Sequence, residues 1–300
     1  MVEDLTTIVW LAGLGRWLAY ACTLWIGGTV LAELLLTAAD VDTRPLGNRL
    51  AGRALAATAG LIVLRTGLLW AQAWLLFALD EPVTLELVQV VALRTAWGVG
   101  WRWQLGAAMV ALVGFALRRA GVSSGRLIAT LGCLGAALSV PLTGHAVEQG
   151  WLNVPVGSQM LHVICATAWI GTLAVLAELL LRRSTPTTDE QIAGAIRRFS
   201  PLALGAAATL FLTGVTTSWF YVGELSALWT TAYGRTLSLK IVLFAATAAV
   251  GCFNWRRVRP QLGVADGSDR LRRSAAFELA WAVGVLLVTA LLVALPMPMR

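Results

Sequence analysis

The sequence predicts an all-α integral membrane protein with eight transmembrane helices arranged as two parallel four-helix repeats. Three observations carry that prediction. Only 13% of the residues are charged and 58% are hydrophobic, whereas a soluble domain carries roughly a quarter charged residues. The apolar residues fall into runs of about 20 residues or more, the length a helix needs to cross the hydrocarbon core. Arginines crowd every second loop between those runs, as they do on the cytoplasmic side of membranes.

The runs are 7–38, 50–79, 99–118, 125–143, 158–182, 200–222, 236–256 and 271–295. Each is expected to be helical, because a span in lipid must satisfy its own backbone hydrogen bonds. The first follows Glu3 and Asp4 rather than a basic region and exceeds the length of a signal sequence core, so it reads as a spanning helix. Residues 82–97 are mixed in polarity and read as an amphipathic segment at the outer interface. Residues 224–233 are a shorter segment of the same kind.

Orientation follows from the loops. One set holds Arg44, Arg49, Arg53, Arg118, Arg119, Arg126, Arg182, Arg183, Arg197, Arg198, Arg256, Arg257, Arg259, Arg270, Arg272 and Arg273. The other holds Asp80, Glu81, Glu86, Glu148 and Glu224 with few bases. The basic set belongs in the cytoplasm, which places both termini on the periplasmic or extracytoplasmic side of a multi-pass inner-membrane protein. Tryptophans agree: Trp10, Trp70, Trp74, Trp97, Trp101, Trp103, Trp151, Trp219 and Trp229 fall near the proposed outer boundary, where indoles prefer the headgroup level.

The chain repeats itself. Trp25-Ile26-Gly27, followed by a Leu-Ala-Glu-Leu-Leu-Leu stretch from Leu31, recurs as Trp169-Ile170-Gly171 followed by the same stretch from Leu176. Thr66-Gly67 recurs as Thr213-Gly214, and Thr95-Ala96-Trp97-Gly98 as Thr231-Ala232-Tyr233-Gly234. Four spans per half give both halves the same orientation, hence parallel repeats about an axis along the membrane normal. The expected division is 1–143 for the first repeat, with its interfacial segment, and 144–300 for the second.

The net charge of +7 comes from short loop clusters, not a basic face, so no nucleic-acid partner is expected. Cys22, Cys133, Cys165 and Cys252 lie in apolar runs without C-x-x-C spacing, which argues against a disulfide framework. No P-loop, H-E-x-x-H or Ser-His-Asp set is present, so enzymatic turnover is not expected.

The candidates for ionisable residues that bear the cost of the membrane interior are Arg16, Arg65, Lys240, Glu33, Glu178 and Glu278. Charges there are costly and usually face the bundle interior. Arg16 and Arg65 lie too deep to snorkel readily; they mark a polar pathway or anion-binding spot, or else a structural pair. Glu33 and Glu178 occupy equivalent repeat positions near the cytoplasmic end, as an inner gate or as partners of loop arginines such as Arg182. Lys240 and Arg102 lie near the outer boundary, where snorkelling accounts for them.

The two histidines, His145 and His162, fall at the outer ends of the consecutive fourth and fifth spans. Cys165 is three residues beyond His162 and shares its helix face. Met160 joins them only if the helix starts after it. Imidazole, thiolate and thioether together suit copper, the sulfur ligands favouring Cu(I). The alternative for each histidine is a polar helix-end cap.

An ordered set of motifs carries a family resemblance: Gly144-His145-Ala146, Leu161-His162, Trp169-Ile170-Gly171, Arg198-Phe199-Ser200-Pro201, Leu212-Thr213-Gly214, Tyr233-Gly234-Arg235, Leu239-Lys240 and Asn254-Trp255-Arg256. It resembles the copper resistance D family of inner-membrane proteins. The resemblance implies copper transport across the cytoplasmic membrane, with a periplasmic copper-binding protein of the CopC type as partner. It implies His145 and His162 as copper ligands near an outer entrance. It also implies a distant relation to membrane cytochromes, which keeps b-type haem between the two imidazoles as an alternative; a copper-delivery subunit is a further one. No fused extracytoplasmic domain is expected. By repeat alignment His162 corresponds to Leu18, so the first half has no equivalent imidazole.

Overall fold

The computed structural model describes residues 2–39, 44–78, 81–144, 150, 153–258, 260 and 267–295, except 182–188. Every regular element among them is helical. The helices are α1 (Val2–Ala38), α2 (Arg44–Phe77), α3 (Leu85–Arg94), α4 (Ala96–Arg119), α5 (Gly125–Ser139), α6 (Val154–Ala166), α7 (Thr172–Leu181), α8 (Asp189–Val222), α9 (Ala227–Thr230), α10 (Ala232–Phe253) and α11 (Gly267–Leu292). A 3-10 turn, Val140–Thr143, ends α5. A π-helical turn at Thr167–Gly171 joins α6 to α7, and a second, Asn254–Val258, continues α10.

Among the described residues, seven helical stretches are long and apolar enough to cross a membrane: Thr7–Ala38, Leu46–Phe77, Gly125–Thr143, Val154–Leu179, Ala193–Val222, Ala232–Arg257 and Arg272–Leu292. The remaining expected span, 99–118, lies within α4. That helix has 24 residues, about 36 Å at helical rise and enough to span. Its N-terminal third carries Trp97, Gly98, Gly100, Trp101, Arg102, Trp103 and Gln104, which dilute its hydropathy. Several helices outrun their apolar runs: α2 starts at Arg44 and α8 at Asp189, so helix continues into the arginine-rich ends. Large apolar side chains such as Phe211, Leu212, Val242 and Phe277 face outward, as expected of helices solvated by lipid.

Small residues set the helix contacts, as is usual where lipid removes the hydrophobic drive between helices. In the α4–α5 hairpin a Cβ added at Gly114 would meet the Ala129 nitrogen at 2.1 Å, and one at Gly132 the Ala111 nitrogen at 2.2 Å. The contact between the two halves is equally close. A Cβ at Gly28 of α1 would sit 2.1 Å from the Gly171 carbonyl carbon, and one at Gly171 would sit 2.1 Å from the Leu24 carbonyl oxygen. The two Trp-Ile-Gly motifs therefore meet where α1 crosses the α6–α7 helix.

The Thr-Ala-[Trp/Tyr]-Gly motif has the same local geometry in both halves. Thr95 caps α4 by accepting from the Gly98 nitrogen at 2.9 Å and donates to the Val91 carbonyl at 2.6 Å. Thr231 caps α10 by accepting from Gly234 at 3.0 Å and donates to Ala227 at 2.8 Å. Each threonine thus ends a short helix, α3 or α9, and starts a long one. The glycine lets the preceding helix end approach: a Cβ at Gly98 or Gly234 would lie 2.1 Å or 1.9 Å from the same carbonyl oxygen, Val91 or Ala227. On α3, Val88, Val91 and Ala92 are buried while Leu85, Glu86, Leu93 and Arg94 are exposed, the i, i+3, i+4 pattern of an amphipathic helix.

Candidate functional site

His162 lies on α6, eight residues from its start and about 12 Å along its axis. Its Nδ1 is 2.8 Å from the Thr213 hydroxyl of α8. The Thr213 hydroxyl has one proton and already donates it to the Thr209 carbonyl at 2.8 Å, with Leu210 at 3.2 Å. It therefore acts as acceptor toward the imidazole. That arrangement favours a proton on Nδ1 and leaves the Nε2 lone pair available. A metal-binding histidine is normally oriented in this way, through a hydrogen bond from its other nitrogen. Lys240 of α10 lies within electrostatic reach of the ring, and no hydrogen bond or ion pair holds its ammonium among the described residues.

Cys165 sits one turn further along α6, half-buried, with its thiol against the Thr209 hydroxyl. His162 and Cys165 thus both face α8, against Thr213 and Thr209. Met160 does not join them. The helix begins at Val154, before Met160 rather than after it, and Met160 packs with Leu142 and Val156. His145 lies outside the described residues, as does Arg182. Among the described residues no group of three or more His, Cys, Asp or Glu side chains could hold a metal ion.

The intramembrane carboxylates have partners. Glu33 is 3.5 Å from the Arg118 guanidinium and 3.9 Å from that of Arg126, where α4 ends and α5 begins. Glu178, in the matching Leu-Ala-Glu-Leu-Leu-Leu stretch, pairs with Arg53 of α2, so an ion pair ties α7 to α2. Glu278 of α11 accepts from Trp169 Nε1 and from Asn254 Nδ2, each at 2.8 Å. Ser274 bonds Asn254 in turn. Both π-helical turns feed this network, Trp169 from one and Asn254 from the other; π-turns recur at functional sites. Thr213, Asn254 and Ser274 carry no charge and no periodic signal, so the sequence alone does not single them out as partners of His162 and Glu278.

The cations differ. Arg65 is 4% exposed, and its Nε has no hydrogen-bond partner. Tyr20 and Arg16 of α1 lie within electrostatic reach. Each such charge near the bilayer centre costs about 2.5–3.5 kcal/mol on insertion scales. Arg102, in contrast, is bonded to the Ala92 carbonyl at the end of α3, where a cation complements the helix dipole.

Multiple membrane-capable helices joined through buried ion pairs and small-residue crossings define a multi-pass membrane protein. The chain belongs to the copper resistance protein D family: residues 4–154 match the model for the copper resistance protein D-like N-terminal domain, and residues 193–292 match that for copper resistance protein D. A curated relative, the copper transport protein CutJ of Bacillus subtilis, is 31% identical over 167 residues, which is 55% of this chain. The match spans 29% of that relative's length. No solved structure matches the chain.

Proposed function

We propose that the chain carries copper across the cytoplasmic membrane, capturing it at the periplasmic face through His162 and Cys165. The carrying observation is the hydrogen bond that turns His162 Nε2 into a free ligand one helical turn from a thiol. A borderline nitrogen and a soft sulfur on one face suit Cu(I) in low coordination. His145, expected by sequence at the same outer end, is the third ligand of this reading. Family membership and the printed name of the relative support copper as the cargo.

In this reading the chain makes eight spans as two parallel repeats, divided near 143, with both termini outside. The matching caps at Thr95 and Thr231, and the crossing of Gly28 with Gly171, support that symmetry. The two family matches fall on opposite sides of the division. The surroundings are the inner-membrane bilayer, and the donor is a periplasmic copper-binding protein of the CopC type.

Metal analysis of the purified protein should find stoichiometric copper after loading with Cu(I), and His162→Ala should lower copper accumulation in cells. Thr213→Val keeps the shape of its residue but frees the imidazole to rotate. It should weaken Cu(I) binding roughly tenfold, the scale at which outer partners of metal ligands act. Unchanged Cu(I) affinity in both variants would remove His162 from the site. An absorption spectrum of the same sample separates copper from the b-haem alternative, which would show an intense Soret band.

A further inference from the structure

The geometry points to a buried binding site for an oxyanion, a carboxylate or a phosphate, between α1 and α2 of the first half, built on Arg65 and Arg16. The membrane-capable stretches contain three carboxylates, Glu33, Glu178 and Glu278. All three are engaged elsewhere: Glu33 by Arg118 and Arg126, Glu178 by Arg53, Glu278 by Trp169 and Asn254. None remains for Arg65 or Arg16.

Depth makes the imbalance acute. Arg16 is about 21 Å from the outer end of α1 and Arg65 about 18 Å from the outer end of α2, so they lie at nearly one level. Arg65 is 4% exposed, and its Nε finds no acceptor. Tyr20, one turn beyond Arg16, lies within electrostatic reach of Arg65. Trp17, on the same stretch of α1, has a buried Nε1 that is also without a partner. The backbone at Arg65 is fixed by Trp101 of α4, whose Nε1 donates to the Arg65 carbonyl at 2.8 Å. Two neighbouring cations, one of them with a buried N–H that finds no hydrogen-bond partner among the described residues, are complementary to an anion. The planar guanidinium fork selects an oxyanion with two oxygens to offer.

This site stands apart from the copper reading and survives its failure. Two sources supply the chemistry, a soluble anion or the phosphate of an anionic lipid. The test uses the full chain in nanodiscs of phosphatidylcholine, melting followed by intrinsic fluorescence, with sodium phosphate and then sodium acetate titrated at constant ionic strength held with sodium chloride. A soluble ligand raises the melting temperature saturably by several degrees. If the source is lipid, the parent protein melts higher in discs containing phosphatidylglycerol, and phosphate then adds nothing. In either case Arg65→Met loses the anion-dependent rise yet melts at or above the parent when no anion is present, since it removes an unmet charge. Arg16→Gln needs roughly tenfold more anion for the same rise. A parent that responds in neither disc overturns the site. So does an Arg65→Met protein that responds like the parent, or one that melts lower without anion, the mark of a purely structural arginine.

Discussion

In the first half, Arg65 is buried with Arg16 beside it and, among the described residues, no carboxylate paired with either. In the second, the buried carboxylate of Glu278 receives two full hydrogen bonds from neutral donors, and His162 is held by a threonine. The frames around these groups are nevertheless alike: the same threonine cap, the same glycine beneath it, and a Trp-Ile-Gly segment from each at the crossing. The comparison teaches that frame and contents are separable. The frame is made of small residues and caps that the backbone needs. The polar contents differ between the two, and ionisable groups inside a membrane are by default candidates for function.

The frame should break first and hardest. Gly28→Val pushes a branched side chain into the Gly171 backbone, where even a Cβ has only 2.1 Å. Gly171→Val does the same toward Leu24. Each is expected to cost at least about 3 kcal/mol, at the upper end of overpacking penalties, because backbone rather than a flexible side chain must move. Gly60→Ala and Gly205→Ala are the controls: nothing lies within 4 Å of their added Cβ, so they should be neutral or gain up to about 1 kcal/mol from helix propensity. Unfolding by denaturing detergent measures all four. A Gly28→Val protein as stable as Gly60→Ala would dissolve the proposed crossing.

The contents separate next. Glu278→Leu strands the Trp169 and Asn254 donors inside the bundle and should cost about 2–4 kcal/mol, the toll of leaving two buried donors unmet. Arg65→Met removes a charge that nothing balances and should cost about zero or stabilise. If both substitutions destabilise equally, the contrast between the halves fails and Arg65 has a partner after all.

The frame was largely legible in the sequence, and the site was not. Hydropathy located seven of the eight expected spans among the described residues, because lipid imposes a single requirement on every residue of a span. Trp-Ile-Gly and Thr-Ala-[Trp/Tyr]-Gly recur in order as strings, and the second has the same threonine cap at Thr95 and Thr231. Span 99–118 was the weakest: its tryptophans and Gln104 obey local packing rather than lipid, as the Gln104 amide bonded to the Ser139 carbonyl at 3.0 Å illustrates. Spacing paired His162 correctly in face with Cys165 but could not give Thr213, 51 residues away, because a hydroxyl on another helix leaves no periodic trace. Met160 shows the opposite error: nearness in sequence suggested a shared site, and a helix begun at Val154 turned it toward Leu142. Arg53 as the partner of Glu178 was equally hidden, since sequence offers nearby Arg182 first.

The smallest effect is the most informative about symmetry. Thr95→Ala and Thr231→Ala each remove one side-chain acceptor from a helix start, with bond lengths of 2.9 Å and 3.0 Å, and each also frees a carbonyl of the short helix before it. Loss of such a cap typically costs about 1 kcal/mol. The flanking backbone is the same in both, with φ of −106° and −102°, so the two losses should agree within a few tenths of that value. The caps are far apart in sequence and share no partner, so the double variant should show the sum. Equal and additive losses fit two copies of one structural unit. A loss confined to Thr231 would mean that α4, the least apolar of the long helices, is held by its hairpin with α5 and not by its cap. The matched motif would then be a remnant in the first half and a working part in the second.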